Sequence, residues 1–531
     1  MKKLFYFFSI ILIGTSCSEM TDASALVPDS ANYVAVIDVK SLVEKAELND
    51  KAADMSSIEA FENELENQDA RVYRLYQDIK EDPLKAGVNL RDPIVIFNVM
   101  EENNTMVGIA MDAWDGEDFG NTIKTLFSSM KMNLAEKEMD GYTYLWPETR
   151  SMPFGVAYDD DRILMLYGAG FMLEQENLDT TMATLMNGNT TFKSENDLFD
   201  DFMGDRGDIS LFTGTSSYSE IMGSMVPISS VFSKDLLEYL DDNYSMIHLN
   251  FEDDKIEMLS KAVYNDKLMD KMDEMGVEAS EIDQDMLKYL PKDGMAVMGM
   301  SVEVSGILDA VREFMGEDEK AKKEFEEGVK KYEIETLLEA IEFNMAVVFN
   351  DIVEKESPYA MYGNSTQPSL DYAAIMKIND RDRIVKFLEK DVPEPMPKEG
   401  NLYNLDNQYL SVGEESMMLT SDRNLAEHHF NSKTPSSSLA GSDSASKMGS
   451  TMFYASMDLD LKKVTFLDNS IPQQARPIAT MWDDFLVKIE VEQDDITENR
   501  ATLYVADSGK NSLARIIELA EESYQKMTQV Q

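Results

Sequence analysis

Val27-Pro28-Asp29-Ser30-Ala31-Asn32-Tyr33-Val34-Ala35-Val36-Ile37-Asp38-Val39 reads as a turn leading into a β-rich apolar run. A similar passage returns far downstream, where Leu290-Pro291-Lys292-Asp293-Gly294 leads into Met295-Ala296-Val297-Met298-Gly299-Met300. After the first run, Ser41 and Glu44 spell an S-x-x-E capping box that opens a helix through Ala46. After the second, Ser305 caps a helix running to Phe314. The elements after each passage also repeat in order, and order decides more than either match alone.

Asp92-Pro93-Ile94-Val95-Ile96-Phe97-Asn98 corresponds to Phe343-Asn344-Met345-Ala346-Val347-Val348-Phe349-Asn350, each the start of a long hairpin. The return strands, Met106 to Asp112 and Tyr372 to Ile378, both meet acidic helix starts before helices at Thr122–Met130 and Arg383–Lys390. Tyr142–Trp146 and Phe154 to Leu166 match Asn401–Leu405 and Tyr409 to Leu419. Asp208–Thr213 before a helix at Tyr218–Met222 matches Thr451–Met457 before Leu461–Phe466. Each copy then closes with a hairpin, Met246–Phe251 with Ile256–Val263 and Leu486–Val491 with Arg500–Val505, and a last helix, Asp266–Met275 or Ser512–Tyr524.

The expected fold is α+β: two tandem, internally duplicated copies, each a largely antiparallel sheet with helices packed on one face. The first copy covers 31–278 and the second 286–531, with the boundary near Gly276–Asp285. The Ser-rich stretch Ser436 to Ser446 lines up with Asn196-Asp197-Leu198-Phe199-Asp200-Asp201-Phe202, so it reads as a weak helix or lid within the second copy. Asp318 to Glu342 reads as a solvated helix carrying i,i+4 Glu–Lys pairs.

The chain has 531 residues, with 100 acidic against 48 basic, a net charge of −52. Such a balance argues against nucleic acid, whose phosphates need a basic footprint. It argues equally against a broad electrostatic grip on anionic membranes. The hydrophobic share, 43%, places the charge on a folded body and not on a disordered chain. One cysteine makes no internal disulfide and no Cys-rich zinc site.

Lys2 and Lys3 precede the apolar stretch Leu4 to Ile13, which is too short to span a bilayer. Gly14-Thr15-Ser16-Cys17 follows, and the whole resembles a bacterial lipoprotein signal cleaved after Ser16. Residues 1–16 are then the signal peptide and 17–30 a lipidated tether, with the Cys17 thiol as the lipid attachment point. Two or three acyl chains, at ~0.8 kcal/mol per buried methylene, anchor a protein durably. Ser18, in place of an inner-membrane retention aspartate, favours the outer membrane; periplasmic and surface faces both fit. The mature chain has 46 basic against 100 acidic residues, a net charge of −54. On so short a tether it stands off an anionic membrane, or holds divalent cations or a basic partner there, within a Debye length of ~8–10 Å.

The lipoprotein-like signal, the Val27-Pro28-Asp29-Ser30-Ala31 turn, Lys85-Ala86-Gly87-Val88-Asn89-Leu90-Arg91-Asp92-Pro93 and the overall length resemble a family of uncharacterised lipoproteins of the Bacteroidetes type. The resemblance covers nearly the whole mature chain and implies a compartment and an architecture, without an activity.

Few residues suggest chemistry. Of three histidines, His248 alternates within a strand as a cross-strand polar residue. His428 and His429 are adjacent on a helix, about 100° apart, so both cannot face one ion. Ser128-Ser129-Met130-Lys131 and Ser444-Ala445-Ser446-Lys447 spell S-x-x-K, in which lysine can activate serine. Ser194-Glu195-Asn196 adds an S-x-N, yet no K-[ST]-G follows. Asp112, Asp115, Glu117 and Asp118 offer hard oxygen ligands for calcium, although their spacing is not that of an EF-hand and Asp115 serves as a helix cap. Met269, Met272 and Met275 could hold copper(I) but read better as core packing. Arg206-Gly207-Asp208 spells an adhesion tripeptide and equally a turn entering a strand.

No catalytic residue, metal ligand or cofactor is therefore assigned. The expected function is a membrane-anchored, non-enzymatic binding or scaffold module of the cell envelope. Its partners are the membrane through the lipid, another envelope protein or divalent cations, and no nucleic acid. Two rivals stand beside it: a carboxylate-dependent envelope hydrolase, which needs a cleft with two carboxylates, and a small-molecule or lipid carrier, which needs an apolar cavity.

Overall fold

In a computed structural model, the described residues are 23–28, 30–101, 104–148, 153–169, 175–188, 197–214, 239, 241–303, 306–314, 319–356, 366–391, 396–405, 408–460, 471–473, 475–506 and 509–530. They form two compact units. One holds the described residues up to 214 with 241–263 and 509–530, and the other holds 239 and 264–506.

The first unit is built on β1 (Ala31–Ile37), β2 (Ile94–Glu101), β3 (Asn104–Asp112), β4 (Leu134–Glu138), β5 (Thr143–Pro147), β6 (Phe154–Tyr158), β7 (Arg162–Ala169), β8 (Ile209–Gly214), β9 (Tyr244–Phe251) and β10 (Lys255–Val263). They pair in the order β4-β5-β6-β7-β3-β2-β1-β8-β9-β10, antiparallel throughout. The apolar run met first in the sequence, β1, is thus central: Val34 faces Phe97 on one side and Phe212 on the other. Phe97 lies opposite Gly108, where a Cβ would come within 2.0 Å of its ring, so only glycine leaves room for it.

Helices cover both faces of this sheet, where the sequence reading placed them on one. Val95, Phe97, Leu164 and Leu166 pack with α5 (Gln175–Met186) and α6 (Asp197–Gly204), the helix expected at Asn196–Phe202. Ile94, Ile163 and Met165, pointing the other way, pack with Val39, Val43, Leu65, Tyr76, Phe119 and Ile123. These residues come from α1 (Val39–Lys45), α2 (Ser56–Gln68), α3 (Ala70–Glu81) and α4 (Gly116–Ser129). The physical reason is that β2 and β7 are unbroken apolar runs, and such strands need cover on both sides. Phe199 and Phe202 are fully buried in α6, each adding about 1.5–3 kcal/mol of apolar burial.

The second unit holds α7 (Asp266–Glu274), β11 (Glu278–Ala279), which pairs with the end of β12 (Ala296–Glu303), and β13 (Ile341–Glu356), β14 (Thr366–Ile378), β15 (Lys398–Glu399), β16 (Leu402–Leu405), β17 (Gln408–Val412), β18 (Ser416–Thr420), β19 (Phe453–Asp458), β20 (Leu486–Gln493) and β21 (Glu498–Val505). Its order is β15-β16-β17-β18-β14-β13-β12-β19-β20-β21, again antiparallel and, position for position, the order of the first unit. Along β18, Met418 joins one apolar cluster while Met417 and Leu419 line the other, so this sheet is also covered on both faces.

Several local expectations shift. α1 is capped by Asp38, whose carboxylate accepts from the Ser41 amide at 2.8 Å. Ser41 therefore lies one turn inside the helix, and its hydroxyl donates to Asp208 instead of closing a capping box. The helix expected over Asp318 to Glu342 is two, α8 (Glu319–Lys331) and α9 (Ile334–Glu339), broken where Glu333 adopts a left-handed φ of 49°. The Ser-rich stretch does contain a helix, α12 (Asp443–Met448), capped by Ser442, after α10 (Arg381–Lys386) and α11 (Arg423–Phe430). Ser305 and the helices expected at Tyr218–Met222 and Leu461–Phe466 lie outside the described residues.

The compact units do not follow the 31–278 and 286–531 division. The C-terminal helix, Ser512–Val530, belongs to the first unit: the Asn511 side-chain amide donates to the Phe251 carbonyl at 2.9 Å and the Ser512 amide to that of Glu252 at 2.8 Å. α7 belongs to the second unit, where the Gly306 amide donates to the Met275 carbonyl at 2.8 Å.

Candidate functional site

The densest polar assembly surrounds Glu490 in the second unit. One turn of α12 carries Ser444 and Lys447 on the same side, and β19 and β20 run beneath, with Ser456 opposite Glu490 and Tyr454 opposite Glu492. The Lys447 ammonium donates to Glu490 at 2.6 Å and lies 2.7 Å from Glu492. Lys488 pairs with the same Glu490 carboxylate, and the Tyr454 hydroxyl donates to it at 2.7 Å. Tyr504 completes the ring of donors, and Ser444 and Ser456 hydrogen-bond Tyr454.

This arrangement fixes the protonation of every member. Burial alone would raise the Glu490 carboxyl, but donors from Lys447, Lys488, Tyr454 and Tyr504 overcome it and hold the group at about 2. Burial opposes the charge on Lys447, yet Glu490 and Glu492 together raise its ammonium above the ordinary value. Burial pushes the Tyr454 phenol up to about 12. An S-x-x-K serine needs a lysine able to accept its proton, whereas Lys447 is clamped as the cation between two carboxylates. What the cluster can do is tie α12 to β19 and β20.

The other S-x-x-K is not assembled. Ser128 lies in α4 and accepts from Arg71 at 3.4 Å, while Lys131 sits beyond the helix end at a left-handed φ of 60°. Ser194-Glu195-Asn196 lies outside the described residues, as do Ser16 and Cys17.

The histidines separate as their spacing predicts. His428 is exposed on α11 and His429 is buried beneath it. Ser411 on β17 lies 2.7 Å from His429 Nδ1, Ser416 on β18 lies 2.9 Å from Nε2, and Tyr289 meets the ring edge-on. Burial pulls this imidazole down to about 4, so it is neutral near pH 7, with each ring nitrogen partnered by a hydroxyl. His248 pairs across the strands with Ser210 at 2.9 Å and stacks on Phe202. Burial lowers its pKa too.

Asp112 is buried, whereas Asp115 caps α4 by accepting from the Asp118 amide at 2.9 Å, and Glu117 and Asp118 face outward. Among the described residues, no group of three or more His, Cys, Asp or Glu is arranged to hold a metal ion. Met269, Met272 and Met275 are half-buried. Asp208 of the Arg-Gly-Asp tripeptide is inside the protein, accepting from Lys45 at 2.7 Å and from the Phe251 amide at 2.7 Å. An adhesion tripeptide must present its carboxylate outward, and this one staples α1 to β9.

Sequence reading missed two features. Glu490 was one carboxylate among many. Arg91, within the Lys85–Pro93 stretch, holds its guanidinium under the ring of the 41% exposed Trp114, and its three side-chain nitrogens are buried without a hydrogen-bond partner. The signal available was a cation placed directly before an apolar strand.

A family model described as "Domain of unknown function (DUF4836)" matches residues 24–471. No curated protein matches the sequence. Among solved structures, "Structure of crystal form I of TP0453" is similar over 49% of this chain and 88% of that chain, at 10% identity and a TM-score of 0.25. "Structure of crystal form IV of TP0453" covers 46% and 81%, at 10% identity and the same TM-score of 0.25. Likeness at that level carries no argument about fold or function. No helix among the described residues is long and apolar enough to cross a membrane.

Proposed function

We propose, for a chain that belongs to the DUF4836 family of unknown function, a non-enzymatic binding or scaffold role in the bacterial cell envelope, with lipid carried on Cys17. The observation that carries this reading is the repeated ten-strand order of the two units, which supports a tandem duplication. A duplicated body offers two related sheet-and-helix platforms to a partner. The Glu490 cluster adds support, because a lysine and a glutamate locked in their charged forms make a rigid tie and a poor proton relay. The lysine-opened apolar leader ending at Ser16-Cys17 supports the anchor and an envelope location of the Bacteroidetes lipoprotein kind, most simply the outer membrane.

The test is crosslinking in intact envelopes, followed by purification of the tagged chain in several mild detergents. A binding role predicts one protein recovered at constant stoichiometry in each detergent. Recovery of the chain alone under all of them would count against it.

A further inference from the structure

The C-terminal helix docks on the first unit through a patterned face. α2 begins after Met55, whose side chain cannot cap it, so its first amides need acceptors from elsewhere. Glu521 supplies them. One carboxylate oxygen accepts from the Ser56 amide at 2.8 Å, and the other accepts from the Ser57 amide at 3.2 Å and the Ser57 hydroxyl at 2.5 Å. A turn further on, the Gln525 side-chain amide donates to the Ser56 hydroxyl at 3.1 Å. A turn before, Glu518 accepts from Lys51 at 2.7 Å, from Lys510 at 2.5 Å and from Arg515 at 3.1 Å. Positions 518, 521 and 525 thus share one face of the helix and read a helix N-terminus and a lysine.

An apolar face accompanies these polar contacts, with Leu513, Ile516 and Ile517 half-buried. Of the aliphatic residues described in this helix, Ala514 and Leu519 are buried, with Ser512 and Ser523 beside them. The attachment joins a carboxylate cap and the Lys51–Glu518 ion pair, both specific in geometry, to this partly buried apolar face.

We propose that the Lys51 and α2 N-terminus region of the first unit is an acceptor site for an acidic helix, and that residues 507–531 are its intramolecular ligand, separable from the body. The partner chemistry is a helix presenting Glu-x-x-Glu-x-x-x-Gln, and the chain carries its own at 518, 521 and 525. The C-terminal segment acts as a latch closing this surface.

The experiment uses the full chain with a protease recognition sequence inserted between Ala506 and Asp507, cut after folding. The latch predicts that the released helix stays with the body through gel filtration and that synthetic 507–531 peptide displaces it. Peptide carrying Glu518→Gln and Glu521→Gln should need at least about tenfold higher concentration to do so, the loss of a charged cap and of the ion pair to Lys51. Release of the helix on the first passage would overturn the proposal, and so would equal competition by the two peptides. Global unfolding on cutting, read by circular dichroism, would overturn it as well, because the helix would then be core and not ligand. An uncut chain that elutes as a dimer and takes up no peptide would make a second copy the occupant and refute the intramolecular assignment.

Discussion

Glu490→Gln lowers the stability of the second unit by about 2 kcal/mol at pH 7. The substitution keeps the shape and removes the charge that Lys447 and Lys488 share. Breaking a fully buried pair costs about 3–5 kcal/mol. Lys447 and Lys488 are 37% and 31% exposed, so water offsets part of the loss and the lower figure applies. Glu490 itself is only 3% exposed, and its carboxyl sits at about 2 against an ordinary 4.5. A depressed carboxyl stabilises the fold above the unfolded value and loses that contribution as pH falls from 4.5 towards 2. The full span is worth about 3 kcal/mol. Hydrogen exchange at β19 and β20 reads both effects. Wild-type protection should fall steeply over that acid window, and in Glu490→Gln it should start lower and fall less. Equal slopes in the two proteins would refute the clamp.

A second large effect appears at milder pH and comes from His429. Its folded value is about 4 and its unfolded value 6.5, so the unfolded chain takes up a proton that the native state refuses. The sign is that of a depressed histidine: stability is full above pH 6.5 and declines as pH falls from 6.5 to 4. The loss reaches about 3 kcal/mol at the end of that window. In His429→Gln the residue cannot titrate, so unfolding of the second unit should be nearly flat between pH 6.5 and 4.5. Urea midpoints at the two pH values measure it, and a wild-type slope retained in the variant would contradict the assignment. Between pH 6.5 and 4.5 the Glu490 window has not yet opened, so readings at those two values isolate His429.

The strands were legible because apolar runs bounded by turn residues need few long-range facts. β1, β2, β12 and β13 fall where their sequences place them, and their repeated order is visible in the sequence itself. The divergence of His428 from His429 was legible for the same local reason, the 100° step of a helix. Cover on both sheet faces was also written in the unbroken runs Ile94-Val95-Ile96-Phe97 and Ile163-Leu164-Met165-Leu166, but the abundance of hairpins pointed toward a one-sided sheet.

Other features depend on contacts that no local pattern encodes. Asp38 displaces Ser41 as the cap of α1 because the Ser41 hydroxyl is drawn to Asp208, 167 residues away. Glu490 differs from the other acidic residues only through donors that the sheet brings to it. The home of the C-terminal helix is set by Glu521 on the Ser56 amide, 465 residues apart in sequence.

The proposed lipid anchor stands or falls at Cys17. The measurement is the mass of the N-terminal peptide of the mature protein, together with fatty-acid labelling of wild type and Cys17→Ala. The expected chain begins at Cys17 with diacylglycerol on its sulfur, labelled in the wild type and unlabelled in the variant. An unmodified Cys17, or labelling that survives Cys17→Ala, would contradict it.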